Sequence, residues 1–277
     1  MKPAPFTYHR PATADEAAHL LSSLEDAKIL AGGQSLLPIM NMRLAEPAHL
    51  IDISGIVELR CVREAEGHVG YGAVTTHMMV EHGLVPDAAR GLMAHAAAGI
   101  GYRAIRTRGT MGGSLVHSDS SAEWPTVLSA LDATVVARST RGVRRIPVRD
   151  LLVGFFSTTL EEDELVTEIE VPRLPETTRW GYYKLARKPG EFAESLAVVL
   201  RRPDGDEIWV GAARDTPVRL TGAESLVAGR EAGHVALREL ADGVGEQTGL
   251  EGHPRQLHAV AILRALRAIE KEAASVV

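Results

Sequence analysis

The chain has 277 residues, with 30 Lys and Arg against 36 Asp and Glu, which gives a formal net charge of −6. Hydrophobic residues make up 45 % of the sequence and aromatic residues only 4 %. This length and apolar content predict a globular protein of one large domain or two ordinary ones. An acidic chain with few aromatic residues and no basic patch gives no support to nucleic-acid binding.

The cysteine count and the hydropathy of the sequence exclude further classes of protein. Cys61 is the only cysteine, so the chain can form no internal disulfide and cannot ligate an iron–sulfur cluster with several thiolates. The N-terminal residues lack the apolar core of a signal peptide, and no stretch approaches the roughly 20 apolar residues of a membrane span. We therefore expect a cytoplasmic protein without a membrane span.

The N-terminal part is predicted to combine helices with short strands. Thr13 and Glu16 form a capping box for a helix whose apolar stripe begins at Ala17 and ends at Leu24. The next predicted elements, in order, are a strand at 27–30, a short helix or turn at 36–44, a strand at 49–53, a hairpin at 62–74, and helices at 76–82 and 87–98.

The second half is predicted to contain more strands. A helix is expected at 123–131, because Pro125 is tolerated in a first turn. Two prolines interrupt the pattern between Pro172 and Thr178, which favours a domain boundary. The other predicted elements are strands at 134–137, 143–147, 164–171, 182–186, 196–200 and 208–212, and helices at 231–241 and 257–272.

Two glycine-rich segments are the strongest indication of function. They are Ala31-Gly32-Gly33-Gln34-Ser35 and Thr110-Met111-Gly112-Gly113-Ser114. Adjacent glycines let a ligand approach bare backbone N–H groups, and the neighbouring hydroxyls can bond phosphate oxygens. One such segment alone is more simply a tight turn between a strand and a helix. Two of them favour a diphosphate gripped from both sides.

Other nucleotide and active-site signatures are absent or lie in the wrong context. The segment 99–104, Gly-Ile-Gly-Tyr-Arg-Ala, matches a dinucleotide fingerprint, but it follows a predicted helix rather than a strand. There is no P-loop, and 33–37 lacks the second glycine of a nucleophile elbow. His77 and His82 lie five residues apart, off the spacing of a helical metal site. His117 is expected to stabilise a loop through a hydrogen bond.

Two basic stretches each permit two interpretations. Arg103, Arg106 and Arg108 could attract a diphosphate or contact a partner, and a solvated face is equally compatible with them. The segment 182–188 places aromatic and basic residues on one predicted strand. By itself it is most simply a half-exposed strand of the second domain.

Three segments together resemble the FAD-binding medium subunit of molybdenum hydroxylases. They are 31–38, 108–114, and Tyr-Lys-Leu-Ala-Arg-Lys-Pro-Gly-Glu-Phe-Ala at 183–193. The medium chain of carbon monoxide dehydrogenase is the type member of this family, and xanthine dehydrogenase carries a related flavin domain. The similarity covers essentially the whole chain in size and in the order of the motifs.

The resemblance implies an α+β fold. Residues 1–174 would form a PCMH-type, vanillyl-alcohol-oxidase-like FAD-binding domain of two subdomains, at about 1–55 and 56–174. Residues 175–277 would form a small α+β C-terminal domain of the carbon monoxide dehydrogenase flavoprotein type, with three antiparallel strands and helices.

The resemblance also implies which residues hold FAD. Both glycine-rich segments would clamp its diphosphate, Glu123 would contact the adenosine or ribityl part, and Lys184 would lie near the isoalloxazine. The full expected set is Leu30, Ala31, Gly32, Gly33, Gln34, Ser35, Leu36, Ile100, Thr110, Met111, Gly112, Gly113, Ser114, Glu123 and Lys184. No catalytic acid or base and no metal ligand is expected, because the flavin itself does the redox chemistry.

The resemblance finally implies partners. In the family, a molybdenum–pterin centre on a large subunit hydroxylates the substrate. Electrons then pass through two [2Fe–2S] clusters on a small subunit to FAD, and on to NAD, a quinone, oxygen or another acceptor. We expect this chain to be the redox relay of such a complex, assembled as a dimer of heterotrimers. A self-contained flavin oxidoreductase of the same fold and a non-enzymatic nucleotide-binding module are the alternatives.

Overall fold

The N-terminal part of the chain forms a small parallel sheet flanked by helices. The structure, a computed structural model, describes residues 2–275, with side chains up to residue 271. The elements are β1 (Thr7–His9), α1 (Ala14–Ser23), β2 (Ala27–Leu30), α2 (Leu36–Asn41) and β3 (His49–Asp52). The strand order is β1-β3-β2, and both pairings are parallel. Each crossover contains a helix, which is the connection that parallel strands need.

Helix α1 begins where the sequence predicts. The Thr13 hydroxyl accepts a hydrogen bond from the backbone N–H of Glu16 at 3.1 Å. The Glu16 carboxylate accepts from the N–H of Ala12 at 2.7 Å, one residue before the usual partner in a capping box. The buried face of α1 packs against the second sheet of the molecule, so the two sheets are joined at this helix.

Residues 62–172 contain a five-stranded antiparallel sheet of order β4-β5-β10-β6-β7. Most of the helices lie between β5 and β6, where they cover one face of the sheet. In chain order the elements are β4 (Val62–Ala65), β5 (His68–Gly72), α3 (His77–Glu81), α4 (Leu92–Ala98), α5 (Arg103–Arg106), α6 (Met111–His117), α7 (Glu123–Ala130), β6 (Thr134–Ser139), β7 (Gly142–Pro147), α8 (Val148–Leu151), β8 (Leu152–Gly154), β9 (Ser157–Thr158) and β10 (Leu165–Pro172).

The C-terminal part is a four-stranded antiparallel sheet with its strands in chain order. Its elements are β11 (Arg179–Leu185), β12 (Ser195–Arg202), β13 (Gly205–Gly211), β14 (Val218–Arg219), α9 (Thr221–Val227), α10 (Leu237–Thr248) and α11 (Gly252–Ser275). The sequence predicts three strands here, and β14 is a fourth of only two residues. Within residues 2–275, no helix combines the length and apolar character needed to cross a membrane.

Helix α7 joins the C-terminal sheet to the rest of the molecule. All eight of its residues are buried. It packs against α4 and α6 on one side and against β12 and β13 on the other. Trp124 and Leu128 of this helix therefore share one core with Leu196 and Val198 of β12. The opposite face of the C-terminal sheet packs on α10 and α11 in a second core.

Two predicted helices have different bounds in the structure. The helix predicted at 87–98 begins only at Leu92, because Arg90 and Gly91 have φ of 53° and 91°, outside the helical range. The helix predicted at 231–241 lies instead at Leu237–Thr248. Gly243 and Gly245 fall inside it, and their low helix propensity hides this stretch from sequence patterns.

Several short elements have no counterpart in the sequence predictions. They are β1, α5, α8, β8, β9, β14 and α9, and each has seven residues or fewer. Such lengths are too short for a hydrophobic period to be recognised. The fold class remains α+β despite these added elements and the changed bounds of the helices predicted at 87–98 and 231–241.

A close contact between β11 and α11 generates a stability prediction. A Cβ on Gly181 would lie 2.0 Å from the carbonyl oxygen of Ala265. Gly181→Ala should therefore lower the free energy of unfolding by roughly 1–3 kcal/mol, the usual cost of overpacking, as measured by chemical denaturation. The control Gly233→Ala meets no atom within 4 Å and should keep wild-type stability. Equal stability of the two variants would contradict the close packing.

Candidate functional site

The two glycine-rich segments lie side by side. Strand β2 leads directly into the first segment, and Gly32 packs on the backbone just before the second. A Cβ on Gly32 would lie 2.0 Å from the carbonyl oxygen of Arg108 and 2.9 Å from the Cα of Gly109. A Cβ on Gly113 would lie 3.8 Å from the Cβ of Ala31. The fold thus brings together two segments that are about 80 residues apart, as the sequence predicts.

The first segment offers unengaged backbone donors. Among residues 2–275, no acceptor bonds the N–H groups of the four residues Gly32–Ser35. Gly33 has φ of 74°, which glycine adopts freely, and turns of this kind gather successive N–H groups into an anion-binding concavity. The Gln34 side chain donates to the carbonyl oxygen of Gly32 at 3.0 Å and so stabilises the turn. Leu30 and Leu36 flank this concavity and are half-buried.

The sequence predicts a loop at the second segment. In the structure this segment is instead the first turn of helix α6. The Thr110 hydroxyl caps the helix by accepting from the N–H of Gly113 at 3.1 Å. The N–H of Met111 bonds the carbonyl oxygen of Thr75 at 3.0 Å, and that of Gly112 bonds Ala73 at 3.1 Å. These three amides are therefore engaged within the protein. What the segment can offer to a phosphate is the hydroxyl groups of Thr110 and Ser114.

Glu123 and Lys184 form a buried ion pair between α7 and β11. Lys184 Nζ lies 2.5 Å from Glu123 Oε1 and donates to the carbonyl oxygen of Gly99 at 3.1 Å. The two side chains are only 4 % and 10 % exposed. Burial raises the pKa of Glu123, and the nearby Lys184 ammonium opposes that rise. The pair also brings the predicted residues Glu123 and Lys184 to Gly99, the residue before the predicted Ile100.

A cavity of about 580 Å³ opens beside Lys184. Its walls are residues 98–106 on one side and 184–190 on the other. Arg106 holds the first wall in place: it pairs with Glu81 at 2.6 Å and donates to the carbonyl oxygens of Ile100 and Gly101. Of the three arginines singled out in the sequence, Arg106 is therefore structural.

His77 supports the site in a way that the sequence did not indicate. Trp124 Nε1 donates to His77 Nδ1 at 2.9 Å, and burial lowers the pKa of His77 to about 4. The ring is thus neutral near pH 7, with its proton on Nε2. A Cβ on Gly109 would lie 2.7 Å from that Nε2, so the ring packs directly under the residue before Thr110. His77, Trp124 and Gly109 come together only in the folded chain, and no local sequence motif indicates this contact.

His117 has a different contact from the one expected. Its ring stacks on Phe156, with ring centroids 4.7 Å apart. No hydrogen bond from this side chain is found among residues 2–275. It stabilises the β8–β9 hairpin by packing, because Phe156 lies in the turn of that hairpin.

Comparison with known proteins identifies the family. A family model described as the FAD binding domain in molybdopterin dehydrogenase matches residues 4–174. The chain belongs to this family. It is 41 % identical, over 238 residues, to the nicotine 6-hydroxylase medium subunit of Paenarthrobacter nicotinovorans, and the match covers 83 % of each chain. The predicted cofactor, FAD, and the oxidoreductase class are thereby confirmed.

Solved structures give the same result for the fold. A chain of carbon monoxide dehydrogenase from Hydrogenophaga pseudoflava superimposes with a TM-score of 0.90 at 34 % identity, covering 98 % of this chain and 99 % of that one. A chain of quinoline 2-oxidoreductase from Pseudomonas putida 86 gives 0.88 at 29 % identity, covering 99 % of both. The expected α+β fold of the PCMH-type FAD domain with a C-terminal α+β part is confirmed.

The residues of this chain fit FAD. The unengaged amides of Gly32–Ser35 form a neutral cradle suited to a diphosphate, and Gly32 lets that cradle touch the segment that carries Thr110. The individual contacts in the expected residue set remain predictions.

The contact at Gly32 generates a prediction about FAD retention. Gly32→Ala would push the first segment away from Arg108, so the purified protein should retain much less than one FAD per chain. The visible flavin absorbance relative to protein concentration measures this, with circular dichroism to show that the fold is intact. Gly154→Ala, whose nearest atom would be 3.6 Å away, should keep the wild-type ratio. Stoichiometric FAD in folded Gly32→Ala would contradict the proposed cradle.

The buried ion pair generates a prediction about stability and pH. Lys184→Met leaves a buried carboxylate unpaired and should cost about 3–5 kcal/mol, whereas Lys184→Met/Glu123→Gln should cost less. In Lys184→Met the pKa of Glu123 rises further above its unfolded value of 4.5. Its free energy of unfolding should therefore fall as pH rises above about 4.5, because the unfolded state ionises first.

The double variant and a surface pair serve as controls for that experiment. Lys184→Met/Glu123→Gln lacks the carboxylate and should not lose stability over the same pH range. Arg187 is 79 % exposed beside Glu191, so Arg187→Gln should change stability by less than about 1 kcal/mol. A flat pH profile for Lys184→Met would show that the carboxylate is not buried as described.

Proposed function

We propose that this chain is the electron relay of a three-subunit molybdenum hydroxylase. In this proposal FAD on this chain receives electrons from [2Fe–2S] clusters of a small subunit and delivers them to an external acceptor. The observation that carries the proposal is the cradle of free amides at Gly32–Ser35, pressed against the Thr110 segment in a chain of this family. With Cys61 as its only cysteine, the chain cannot itself hold the clusters.

The residues of the chain act by binding and orienting. When bound, FAD supplies the capacity to take up and release two electrons. The amides of Gly32–Ser35 would donate to its diphosphate, and the Thr110 and Ser114 hydroxyls would donate from the other side. Ile100 would pack on the cofactor, and Lys184, with its charge compensated by Glu123, would be the donor near the isoalloxazine. No side chain needs to act as an acid or a base.

The names of the similar proteins indicate where substrate choice resides. They refer to nicotine, carbon monoxide and quinoline, which share no chemistry that one pocket could recognise. This chain resembles proteins with all three names over most of its length. We infer that the substrate of the complex is selected on the large, molybdenum–pterin subunit.

The proposed assembly and organisation follow the family. The chain would join a large molybdopterin subunit and a small iron–sulfur subunit in a cytoplasmic dimer of heterotrimers. Its FAD-binding domain would span 1–174, with subdomains at about 1–55 and 56–174, and its C-terminal domain 175–277. The separate sheets of residues 7–52, 62–172 and 179–219 support this division.

Electron transfer from a reduced partner tests this function. The chain is produced with its large and small subunits, and the complex is isolated with its flavin. In a second sample, the flavin-loaded chain is mixed without oxygen with the separately purified iron–sulfur subunit, which has first been reduced. The flavin absorbance of the chain should then bleach. The chain alone should show no turnover of a small organic substrate. Turnover by the isolated chain at the rate of the complex would overturn the proposal and favour a self-contained flavoenzyme. Absence of FAD would also overturn it and would favour a non-enzymatic nucleotide-binding module.

A further inference from the structure

The buried hydroxyl group of Tyr182 has no hydrogen-bond partner. Tyr182 lies on β11, is 7 % exposed, and packs in the core that β11 and β12 share with α4 and α7. Within the part of the chain that the structure describes, no group is placed to form a hydrogen bond with its Oη. A buried polar group without a partner costs free energy, and native proteins contain few of them. A second arrangement of the site, in which this hydroxyl has a partner, would account for it.

Tyr71 shows how a tyrosine in the same core is normally satisfied. Its Oη donates to the carbonyl oxygen of Pro86 at 2.7 Å and accepts from the backbone N–H of Ala88 at 3.1 Å. Tyr71 and Tyr182 belong to one hydrophobic cluster. The missing partner is therefore a feature of the position of Tyr182, and not of buried tyrosines in this core.

Tyr182 lies near the Glu123–Lys184 ion pair. It precedes Lys184 by two residues, so the two side chains lie on the same face of β11. Burial raises the pKa of Tyr182 well above its usual value, and the negative charge of Glu123 adds to this rise. The hydroxyl consequently stays protonated, and it is a hydrogen-bond donor close to a buried carboxylate.

Lys184 is expected to serve two sites with one ammonium group. In the structure this group pairs with Glu123 at 2.5 Å and donates to the carbonyl oxygen of Gly99 at 3.1 Å. The family resemblance places the same ammonium near the isoalloxazine, and Lys184 lines the cavity of about 580 Å³. A movement of Lys184 towards the cofactor would take the ammonium away from Glu123. A buried carboxylate that loses its partner is strongly destabilising, so another donor is needed there.

We propose that Tyr182 is a positioning residue whose hydroxyl donates to the Glu123 carboxylate when Lys184 turns towards bound FAD. Glu123 only has to rotate about its side-chain torsions, because the Tyr182 ring is held edge-on by the His95 ring, with centroids 5.3 Å apart. Only hydrogen bonds are exchanged, and no proton is transferred. The hydroxyl carries no charge, so it reduces the cost of the lost ion pair without removing it. The functional part of this inference rests on the proposed function.

The exchange changes the charge that the site offers to the cofactor. While Lys184 pairs with Glu123, its charge is compensated. Once Tyr182 has taken over Glu123, the ammonium can act on the cofactor more fully. Reduced flavin carries more negative charge than oxidised flavin, so a released ammonium stabilises the reduced form. Tyr182 therefore influences the midpoint potential of the flavin through Lys184 and without touching the flavin.

The exchange can be tested in the full chain without FAD by chemical denaturation. Tyr182→Phe removes an unpartnered hydroxyl and should leave the equilibrium constant of unfolding within about twofold of wild type, or lower. In the Lys184→Met background Glu123 turns to Tyr182, so adding Tyr182→Phe should raise this constant at least about tenfold. Tyr71→Phe is the matched control, and it should raise the constant by the same factor in both backgrounds. An equal effect of Tyr182→Phe in both backgrounds would overturn the inference.

A second measurement needs no Lys184 variant and therefore remains decisive if Lys184→Met does not fold. In the holo-complex, Tyr182→Phe should weaken the binding of reduced relative to oxidised FAD about tenfold, which lowers the midpoint potential of the two-electron couple by about 30 mV. Tyr71→Phe should keep the wild-type potential, because its hydroxyl has its own partners. A merely structural role of Tyr182 would not shift the potential.

The outcomes separate this inference from the proposed function. A Tyr182→Phe complex that holds FAD at the wild-type potential would overturn the inference and leave the proposed function standing. A wild-type complex without FAD would overturn the proposed function, whereas the comparison of the two tyrosines by denaturation would still decide whether Tyr182 can replace Lys184 at Glu123.

Discussion

A buried carboxylate at the start of α7 has to be neutralised, and the cation that does so comes from the C-terminal sheet. A Glu123 left unpaired in this position would be strongly destabilising, so β11 must lie where Lys184 can reach it. The same ammonium bonds the carbonyl oxygen of Gly99, which fixes the start of the 100–110 stretch. The pair thereby connects the two walls of the cavity, because Gly99 lies on one wall and Lys184 on the other.

The two glycine-rich segments have unequal roles, although their sequences look alike. The glycines of 110–114 are buried or half-buried in a helix whose first amides bond the chain itself, and Gly112 is needed because Ala73 lies so close. Gly32 and Gly33 instead leave their amides free. The first segment is the anion cradle, and the second is the rigid support on which the cradle rests, with His77 beneath it.

The sequence was sufficient wherever a signal was local. The strand that ends at Leu30 and the cap at Thr13 agree with the structure. The contact between the two glycine-rich segments was also predicted, because each segment carries its own recognisable local motif. It was insufficient where a contact links distant residues. Glu123 and Lys184 are 61 residues apart, and nothing in either segment shows that they form an ion pair. It also failed for α6, because adjacent glycines suggest a loop, whereas capping by Thr110 and packing on β10 and α7 favour a helix.

Strand β12 has one further consequence. Its residues alternate between the two cores: Leu196 and Val198 pack with α7, while Ala197 and Val199 pack with α11. The C-terminal part therefore has a core of its own with α10 and α11 and also contributes one face of the core that contains α7. Removal of residues 175–277 would expose Trp124 and Leu128 of α7 to water at the face that β12 and β13 now cover.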